Sequence, residues 1–288
     1  MRLSSGAVSQ LPQGEYLHAP SKTLYRMEGN QVRIETPLEK ASQKLDYFIG
    51  SGVHGRSYLF LRNRKLFQAP VTHYAGRGWQ MSPGYEADDR SDWTRPIDRN
   101  CLWCHASGTK PIYGRTNEYA MPFTEGGISC ERCHGDVQAH LKSPAQLPVN
   151  PVKLSPQARN DVCRQCHLLG MTRADKPGHT FFEFKAGMQL DSLVHYAVAE
   201  QTEDSALKVT GHFERLAKSK CQMASGDKLW CGTCHNPHPA KVVDANASCR
   251  SCHELKSCGK GPDCQACHMR KMPSPEANHS VFTDHWIR

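Results

Sequence analysis

Long apolar stretches are what this chain lacks most clearly. Of its 288 residues only 38% are hydrophobic and 8% are aromatic, and the mean hydropathy is −0.62. No run reaches the roughly 18 apolar residues that a membrane helix needs, so no membrane-spanning segment is predicted. Residues 1–30 also lack the apolar run of a secretory leader. With 18 Pro and 22 Gly, the chain is short of side chains for an ordinary hydrophobic core.

Cysteine, by contrast, follows a strict pattern. Six motifs of two cysteines each account for 12 of the 14 cysteines. Cys-x-x-Cys-His occurs at Cys101/Cys104/His105, Cys130/Cys133/His134, Cys163/Cys166/His167, Cys231/Cys234/His235, Cys249/Cys252/His253 and Cys264/Cys267/His268. This is the attachment sequence of c-type haem, in which the thiols add to the vinyl groups and the histidine binds the iron.

Chance and other cysteine chemistry explain the pattern poorly. With 16 His in the chain, a given position is His about 6% of the time, so six occurrences have odds on the order of 10⁻⁸. A zinc site and a disulfide framework are the alternatives, but neither requires His directly after each pair. The sequence therefore predicts six covalently attached haem c groups.

Six haems change the expected fold. Each is a flat apolar disc that can serve as core, which leaves about 48 residues to wrap each one. We expect a multihaem cytochrome c fold: loop-rich, with short α-helices wrapped round six haems and a small N-terminal β-rich region. The predicted domains are a β-rich cap at 1–95, which contains no cysteine, and a hexahaem cytochrome domain at 96–288.

The basic net charge of +8 is also explained by haem. Twelve propionates and six ferric cores would bring the total to roughly +2 oxidised and roughly −4 reduced. Lys and Arg are spread along the chain without a basic block, so no nucleic-acid partner is predicted.

Local patterns predict several elements. Lys22–Glu35 reads as a hairpin around Gly29, and two strand-like runs flank a polar turn at residues 62–65. Ser155-Pro156 favours the start of a helix that leads into Cys163. Leu190–Ala199 and Glu203–Lys220 have helix-like spacing, interrupted by Gly211.

Each motif histidine supplies one iron ligand, and ten other histidines remain. His238 follows His235 by three residues, which span at most about 10 Å. Since that is too short to pass round a haem disc, His238 would have to serve a neighbouring iron. The same reasoning applies less strictly to His140, six residues after His134.

Three segments carry a family resemblance: CERCHGDVQAH (130–140), KSKCQMASGDKLWCGTCHNPH (218–238) and DCQACHMRKMPSPEANHSVFTDHWIR (263–288). They resemble multihaem c-type cytochromes related to hydroxylamine oxidoreductase and pentahaem nitrite reductase, in the branch often fused to tetratricopeptide repeats. IGSGVHGRSYLF (49–60) and SPGYE (82–86) extend the resemblance. It implies that the distal iron ligands are His54, His140, His212, His238, His279 and His285.

The chain departs from this family in places. CHMRKM and CHGD replace the usual C-H-M-P and C-H-G-P-G, and no tetratricopeptide region is seen after His285. The last haem is therefore expected to be open to another subunit or to a missing partner domain. The spare Cys221 and Cys258 are expected to form a disulfide, as in exported proteins.

Other residues are weaker candidates. His18 and His195 are second choices as ligands, whereas His73 and His179 are expected at the surface. Met223, Met269 and Met272 could ligate iron, but packing against porphyrin is the favoured role.

The resulting hypothesis is electron transfer without catalysis, since bis-histidine irons leave no open site. The expected partners are other redox proteins or copies of the chain itself, in a conducting extracellular filament. The alternative is an oxidoreductase of small nitrogen or sulfur compounds with one open haem. Because haem c is attached outside the cytoplasm, we expect a periplasmic or extracellular protein.

Overall fold

The computed structural model of the chain describes residues 4–85, 92–120, 123, 126–168, 172–197, 200, 202, 204–238, 244–254, 261 and 263–288. It divides into two compact units, Met1–Ser129 and Cys130–Arg288. The boundary expected at residue 95 from the cysteine distribution stays a prediction.

The first unit is mainly antiparallel β-structure. Its strands are β1 (Ser5–Ala7), β2 (Gly14–His18), β3 (Thr23–Glu28), β4 (Gln31–Glu35), β5 (Lys40–Lys44), β6 (Tyr47–Ile49), β7 (Gly55–Arg62), β8 (Lys65–Tyr74), β9 (Gly78–Met81), β10 (Lys110–Pro111) and β11 (Tyr119–Ala120). One sheet has the order β1-β6-β7-β8-β9 and another the order β2-β3-β4-β5, while β10 and β11 pair separately. The helix α1 (Arg99–His105) follows the two larger sheets in the chain.

Two tight turns fix the strand register, as the sequence predicted. In the first hairpin Glu28 pairs with Gln31, so only two residues form the turn, and Gly29 has φ of +61°. In the second, Arg62 pairs with Lys65. Asn63 and Arg64 there have φ of 50° and 68°, as a type I′ turn requires.

The core of this unit consists of ordinary side chains. In β3 every second residue is buried, and Tyr25 is completely inaccessible to solvent. Val32, Leu45 and Phe60 are equally buried in the same cluster. Both clusters of buried apolar residues identified in the described part of the chain lie in this first unit. The N-terminal β-region therefore has a packed core of its own side chains.

The second unit consists of short elements. Its helices are α2 (Glu131–His134), α3 (Gln138–Lys142), α4 (Pro156–His167), α5 (His212–Ala217), α6 (Lys220–Ser225), α7 (Cys231–Cys234), α8 (Ala245–Arg250) and α9 (Cys264–His268). Its strands are β12 (Thr172–Asp175), β13 (Val194–Ala197), β14 (Lys271–Ser274) and β15 (Ala277–Thr283), paired as two hairpin-like ribbons. Single 3₁₀ turns cover Pro151–Lys153, Phe181–Glu183, Leu190–Ser192 and Gly226–Lys228.

The helix predicted to lead into Cys163 is confirmed as α4. Pro156 occupies its first turn, and the Ser155 hydroxyl accepts a hydrogen bond from the backbone of Ala158. A serine cap followed by proline satisfies exposed backbone donors at the point where the helix begins.

The helix-like spacing of Leu190–Ala199 was a wrong indication. This segment forms a 3₁₀ turn and then strand β13, which pairs with β12 from Asp175 back to Thr172. Across Glu203–Lys220, regular helix starts only at His212, with Gly211 as its N-terminal flank. None of the helices in the described part of the chain is long and apolar enough to cross a membrane.

Candidate haem-binding site

The six cysteine motifs coincide with short helices. The first lies on α1, the second starts just before α2, and the third ends α4. The fourth, fifth and sixth lie on α7, at the end of α8 and on α9. Cysteines three residues apart share one face of a helix, so both thiols of a motif can reach the same edge of a porphyrin. The local fold thus suits the two thioether bonds of haem c.

The second cysteine of each motif differs in exposure along the chain. It is half-buried in the first three motifs, at Cys104, Cys133 and Cys166, and exposed in the last three, at Cys234, Cys252 and Cys267. Cys104 lies in α1, Cys166 in α4 and Cys267 in α9, whereas Cys252 follows the end of α8. No disulfide joins these cysteines in the structure. Their attachment to haem stays a prediction.

Side-chain caps hold several of these short helices in place. Asp98 accepts a hydrogen bond from the backbone of Cys101 at 3.1 Å. Asp244 and Asp263 cap α8 and α9 in the same way, through the backbones of Asn246 and Ala266. Because helices this short are marginal alone, caps next to the motif matter.

Most of the thiols with a shifted pKa do not resemble those of redox pairs; Cys231, whose pKa is lowered by its hydrogen bond with Cys163, is the exception. No disulfide joins any of the 13 described cysteines, and burial raises the pKa of Cys101 to about 11. Burial also raises the pKa of Cys133, Cys234 and Cys249, whereas a reactive Cys-x-x-Cys has a lowered pKa. In the described residues no three His, Cys, Asp or Glu side chains converge as a metal site.

Of the two spare cysteines only one can be placed. The Cys221 sulfur lies 3.9 Å from Nε2 of His253. Cys258 lies outside the described residues, so the expected Cys221–Cys258 disulfide stays a prediction.

Hydrogen bonds orient four of the predicted iron ligands. Nδ1 of His134 lies 2.7 Å from the Val149 carbonyl, and Nδ1 of His268 bonds the carbonyl of Arg288. Nδ1 of His140 and Nδ1 of His285 each lie 3.1 Å from a carbonyl oxygen, of Gln146 and Thr283 respectively. A carbonyl only accepts, so Nδ1 must carry the proton and Nε2 of the neutral ring is available to bind a metal.

Three pairs of imidazoles each combine a motif histidine with a predicted distal one. The ring centres of His134 and His238 are 5.8 Å apart, those of His167 and His212 5.9 Å, and those of His235 and His285 5.9 Å. The ring planes within these pairs differ by only 22° to 30°. An imidazole nitrogen lies about 2 Å from a bound metal, so two rings on opposite sides of one iron would have centres on the order of 6 Å apart. The residues present therefore fit bis-histidine haem at three positions.

Two of these pairs adjoin one another. The ring centres of His212 and His285 are only 4.3 Å apart. The thiols of Cys163 and Cys231, the first cysteines of the third and fourth motifs, are also hydrogen-bonded. This bond, together with burial, raises the pKa of Cys163, and the same bond lowers the pKa of Cys231. The third and fourth motifs thus meet at their first thiols, and the two histidines paired with their motif histidines adjoin one another.

The imidazoles of these two pairs form a four-histidine cluster, and all four are held neutral: His167, His212, His235 and His285. Burial, reinforced by His285 and two other histidines, lowers the pKa of His212 to about 3. Burial, and to a lesser extent the charge of the neighbouring His235, lowers the pKa of His285 to about 4. Burial lowers the pKa of His167 and of His235 as well. The neutral ring is the form that binds iron, so the environment favours ligation.

The other predicted ligands are placed in separate elements, and their pairing stays a prediction. His54 lies in the turn before β7, His105 ends α1, His140 lies in α3, His253 follows α8, His268 ends α9 and His279 lies in β15. Among the weaker candidates, Met272 places its sulfur 3.6 Å from the Arg215 guanidinium.

Sequence reasoning missed the charged residues around the cluster. Arg215 and Asp284 form an ion pair with side chains 1% and 0% exposed, and Asp161 pairs with Arg164 in α4. Asp284 directly precedes His285, and Arg215 follows His212 by one helical turn. These two sequence positions, each close to a predicted ligand, were the only signal of the ion pair in the sequence.

Comparison with known proteins gives two matches. The family model for cytochrome c7 and related cytochrome c matches residues 89–168, a span that contains the first three motifs. The second match is the multiheme cytochrome MtrA of Shewanella baltica (strain OS185), 25% identical over 53% of this chain. It covers 51% of that relative, so the chain spans about half its length. Both matches support a multihaem c-type cytochrome. No solved structure matches this chain.

Proposed function

We propose that this chain is a hexahaem c-type cytochrome that carries electrons between closely spaced, bis-histidine haems and has no catalytic site. The observation that supports it best is the set of three imidazole pairs, His134/His238, His167/His212 and His235/His285, at 5.8–5.9 Å. Bound haem iron supplies reversible one-electron chemistry. The chain's own part is to hold the haems, satisfy both axial positions and exclude substrate.

The proposed binding residues divide into two groups. The porphyrins are attached by the motif cysteines Cys101, Cys104, Cys130, Cys133, Cys163, Cys166, Cys231, Cys234, Cys249, Cys252, Cys264 and Cys267. The irons are bound by the twelve histidines His54, His105, His134, His140, His167, His212, His235, His238, His253, His268, His279 and His285. With two imidazoles per iron, no position is open for a small nitrogen or sulfur compound.

Crossed ligation is part of this proposal. The ring of His238 lies 5.8 Å from that of His134, which belongs to a different motif from the one that His238 follows in the chain. An arrangement in which one segment attaches a haem and also ligates the next would tie adjacent haems together. Close, rigidly spaced haems favour electron transfer between them.

Partners and location follow from the same proposal. The relative is named a multiheme cytochrome, and other redox proteins are the expected electron donors and acceptors. We extend the proposal to a periplasmic or extracellular location, and to kinship with the hydroxylamine oxidoreductase group on the motif segments quoted above. Self-association into a conducting filament is a further expectation, to be checked by electron microscopy of the purified protein.

The decisive test is spectroscopic. Intact-mass spectrometry of the wild type should find six covalently bound haems, and electron paramagnetic resonance of the ferric protein should show low-spin iron throughout. His238→Ala should convert about one of the six irons to high spin while the haem count stays the same. His179→Ala is the matched control, since that half-exposed ring bonds Glu183 on the surface. A wild type with a high-spin iron would favour the enzyme alternative, and a His238→Ala spectrum like that of the wild type would refute the assigned ligand.

A further inference from the structure

A buried ion pair adjoins the four-histidine cluster. Arg215 donates from Nε and Nη2 to the two carboxylate oxygens of Asp284, both at 2.9 Å. Its remaining nitrogen, Nη1, donates to the Thr202 carbonyl at 2.8 Å. With side chains 1% and 0% exposed, the pair is shielded from solvent, and its planar two-point contact fixes orientation as well as distance.

The pair joins the two segments that carry the closest imidazoles. Arg215 lies on α5 one turn after His212, so both side chains extend from the same side of this short helix. Asp284 is the residue immediately before His285. The ring centres of His212 and His285 are 4.3 Å apart, and the ion pair is the polar link beside them.

Further contacts hold the carboxylate side of the link. Oδ1 of Asp284 also accepts from the backbone of Trp286 at 3.0 Å, and the backbone of Asp284 donates to the Arg270 carbonyl at 2.8 Å. The Arg215 guanidinium lies 5.2 Å from the centre of the Trp286 ring. The chain on both sides of His285 is therefore fixed relative to α5.

An ion pair is a poor choice for stability alone. Desolvation of two charges offsets most of their attraction, and apolar residues of the same volume often serve as well. Contacts between apolar residues are not directional, so they would not fix the angle between α5 and the C-terminal segment. The geometry therefore indicates a role in orientation.

We propose that Arg215 and Asp284 are positioning residues that hold His212 and His285 as distal ligands of two neighbouring haem irons. This inference rests on the proposed function. Neither residue touches iron; each acts through the imidazole on its own segment. The intact pair carries no net charge, so it adds none beside the ligands of the two irons.

This neutrality gives the proposal a test of sign. Arg215→Gln leaves the Asp284 carboxylate, and a nearby negative charge stabilises the more positive ferric state, so potentials fall. Asp284→Asn leaves the guanidinium, so potentials rise. Opposite shifts would show that the pair lies close enough to the irons to act on their charge; the positioning role itself is read from the spin state of the irons.

The experiment combines intact-mass spectrometry, electron paramagnetic resonance and a spectroelectrochemical titration of the full holoprotein. In the two variants, about one third of the low-spin signal, two irons of six, is expected to broaden or become high spin, with six haems still bound. Arg215→Lys keeps the positive charge but not the planar two-point contact with Asp284. Its potentials should therefore be close to those of the wild type, whereas its spin state should stay partly changed. Arg26→Gln, which breaks exposed pairs with Glu15 and Glu35 in the β-unit, is the control and should match the wild type.

The outcomes separate the two proposals. A wild type without six haems or without low-spin iron would overturn the proposed function itself. A normal wild type, together with variants whose low-spin signal is unchanged, would overturn only the positioning role, whatever the shift of the potentials. Should Arg215→Gln lose its haems through misfolding, the isosteric Asp284→Asn decides: a broadened or high-spin signal from about two of the six irons supports the proposal, and an unchanged low-spin signal refutes it.

Discussion

Single hydrogen bonds decide which atom of each histidine is available to a metal. The carbonyls of Val149 and Thr283 hold the proton of His134 and His285 on Nδ1, which leaves Nε2 as the ligand atom. Nothing in the sequence marks a backbone carbonyl as such a partner. The motif histidines are predictable from their spacing, but their orientation depends on chain segments up to 20 residues away.

Asp98 allows a prediction at this scale. Burial acts to raise the pKa of its carboxyl, but hydrogen bonds from Cys101 and Asn100 outweigh it and the pKa is lowered below 3.8. The cap therefore stabilises the fold above that value, and its contribution is lost as the pH falls through the lower folded pKa. Asp98→Ala should cost about 1 kcal/mol in the free energy of unfolding at neutral pH.

Urea unfolding, followed by circular dichroism at neutral pH and at about pH 2.5, measures the effect. The difference between Asp98→Ala and the wild type should shrink at the lower pH. Asp98→Asn, which keeps a cap without the charge, should lose most of the pH dependence and little stability. A deficit of the same size at both pH values would contradict the assignment.

At the scale of elements, turn chemistry and caps made much of the fold predictable. The hairpins around Gly29 and around residues 62–65, and the helix starting at Pro156, follow from local residues alone. Strand β13 did not, because the spacing of apolar residues in Leu190–Ala199 is helix-like and the strand is recognised only from its pairing with Thr172–Asp175.

The second hairpin turn is strained at one position. Arg64 has φ of 68°, in the left-handed region where a side chain with Cβ is disfavoured. Glycine suits the second position of a type I′ turn after Asn. Arg64→Gly should therefore raise the free energy of unfolding by roughly 0.5–1 kcal/mol, as measured by urea denaturation. Lys65→Gly, at the first position of β8, is the control and should destabilise; a loss of stability in Arg64→Gly would refute the strain.

Helix α4 depends on a buried carboxylate. Asp161 is completely buried and accepts from Arg164 at 2.6 Å and from the backbone of Leu190 at 2.9 Å. Asp161→Ala would leave both donors without this acceptor, with an expected cost of about 3–5 kcal/mol in thermal or urea unfolding. Lys208→Ala, which breaks the half-exposed pair with Glu276, should cost less than about 1 kcal/mol. Equal costs in the two variants would argue against the buried pair.

The whole molecule combines two kinds of interior. The β-unit contains both apolar clusters identified in the described residues. The second unit is built from helices of 4–12 residues, which carry most of the motif cysteines and histidines, together with 3₁₀ turns and two-stranded ribbons. Composition alone indicated a shortage of apolar side chains, and the six motifs predicted that haem groups take their place in the core. The sequence could not predict the pairing of His167 with His212, since that depends on how intervening segments fold.

This difference predicts unequal dependence on haem. In haem-free protein, amides of β3 and β4 should keep their protection from hydrogen exchange, because side chains alone form that core. Amides of α5, α7 and α9 should exchange much faster than in the holoprotein. Hydrogen-exchange mass spectrometry on both forms measures this. Equal loss of protection in the two units would show that the β-unit also needs haem.

The contact between His134 and His238 has a consequence for how the protein matures. The two rings lie 5.8 Å apart, yet 104 positions of chain separate them. At a synthesis rate of about 5–20 residues per second, the second imidazole would emerge roughly 5–20 seconds after the first. A haem attached at Cys130 and Cys133 would therefore gain its proposed second ligand, His238, only after the chain had been delivered as far as the fourth motif.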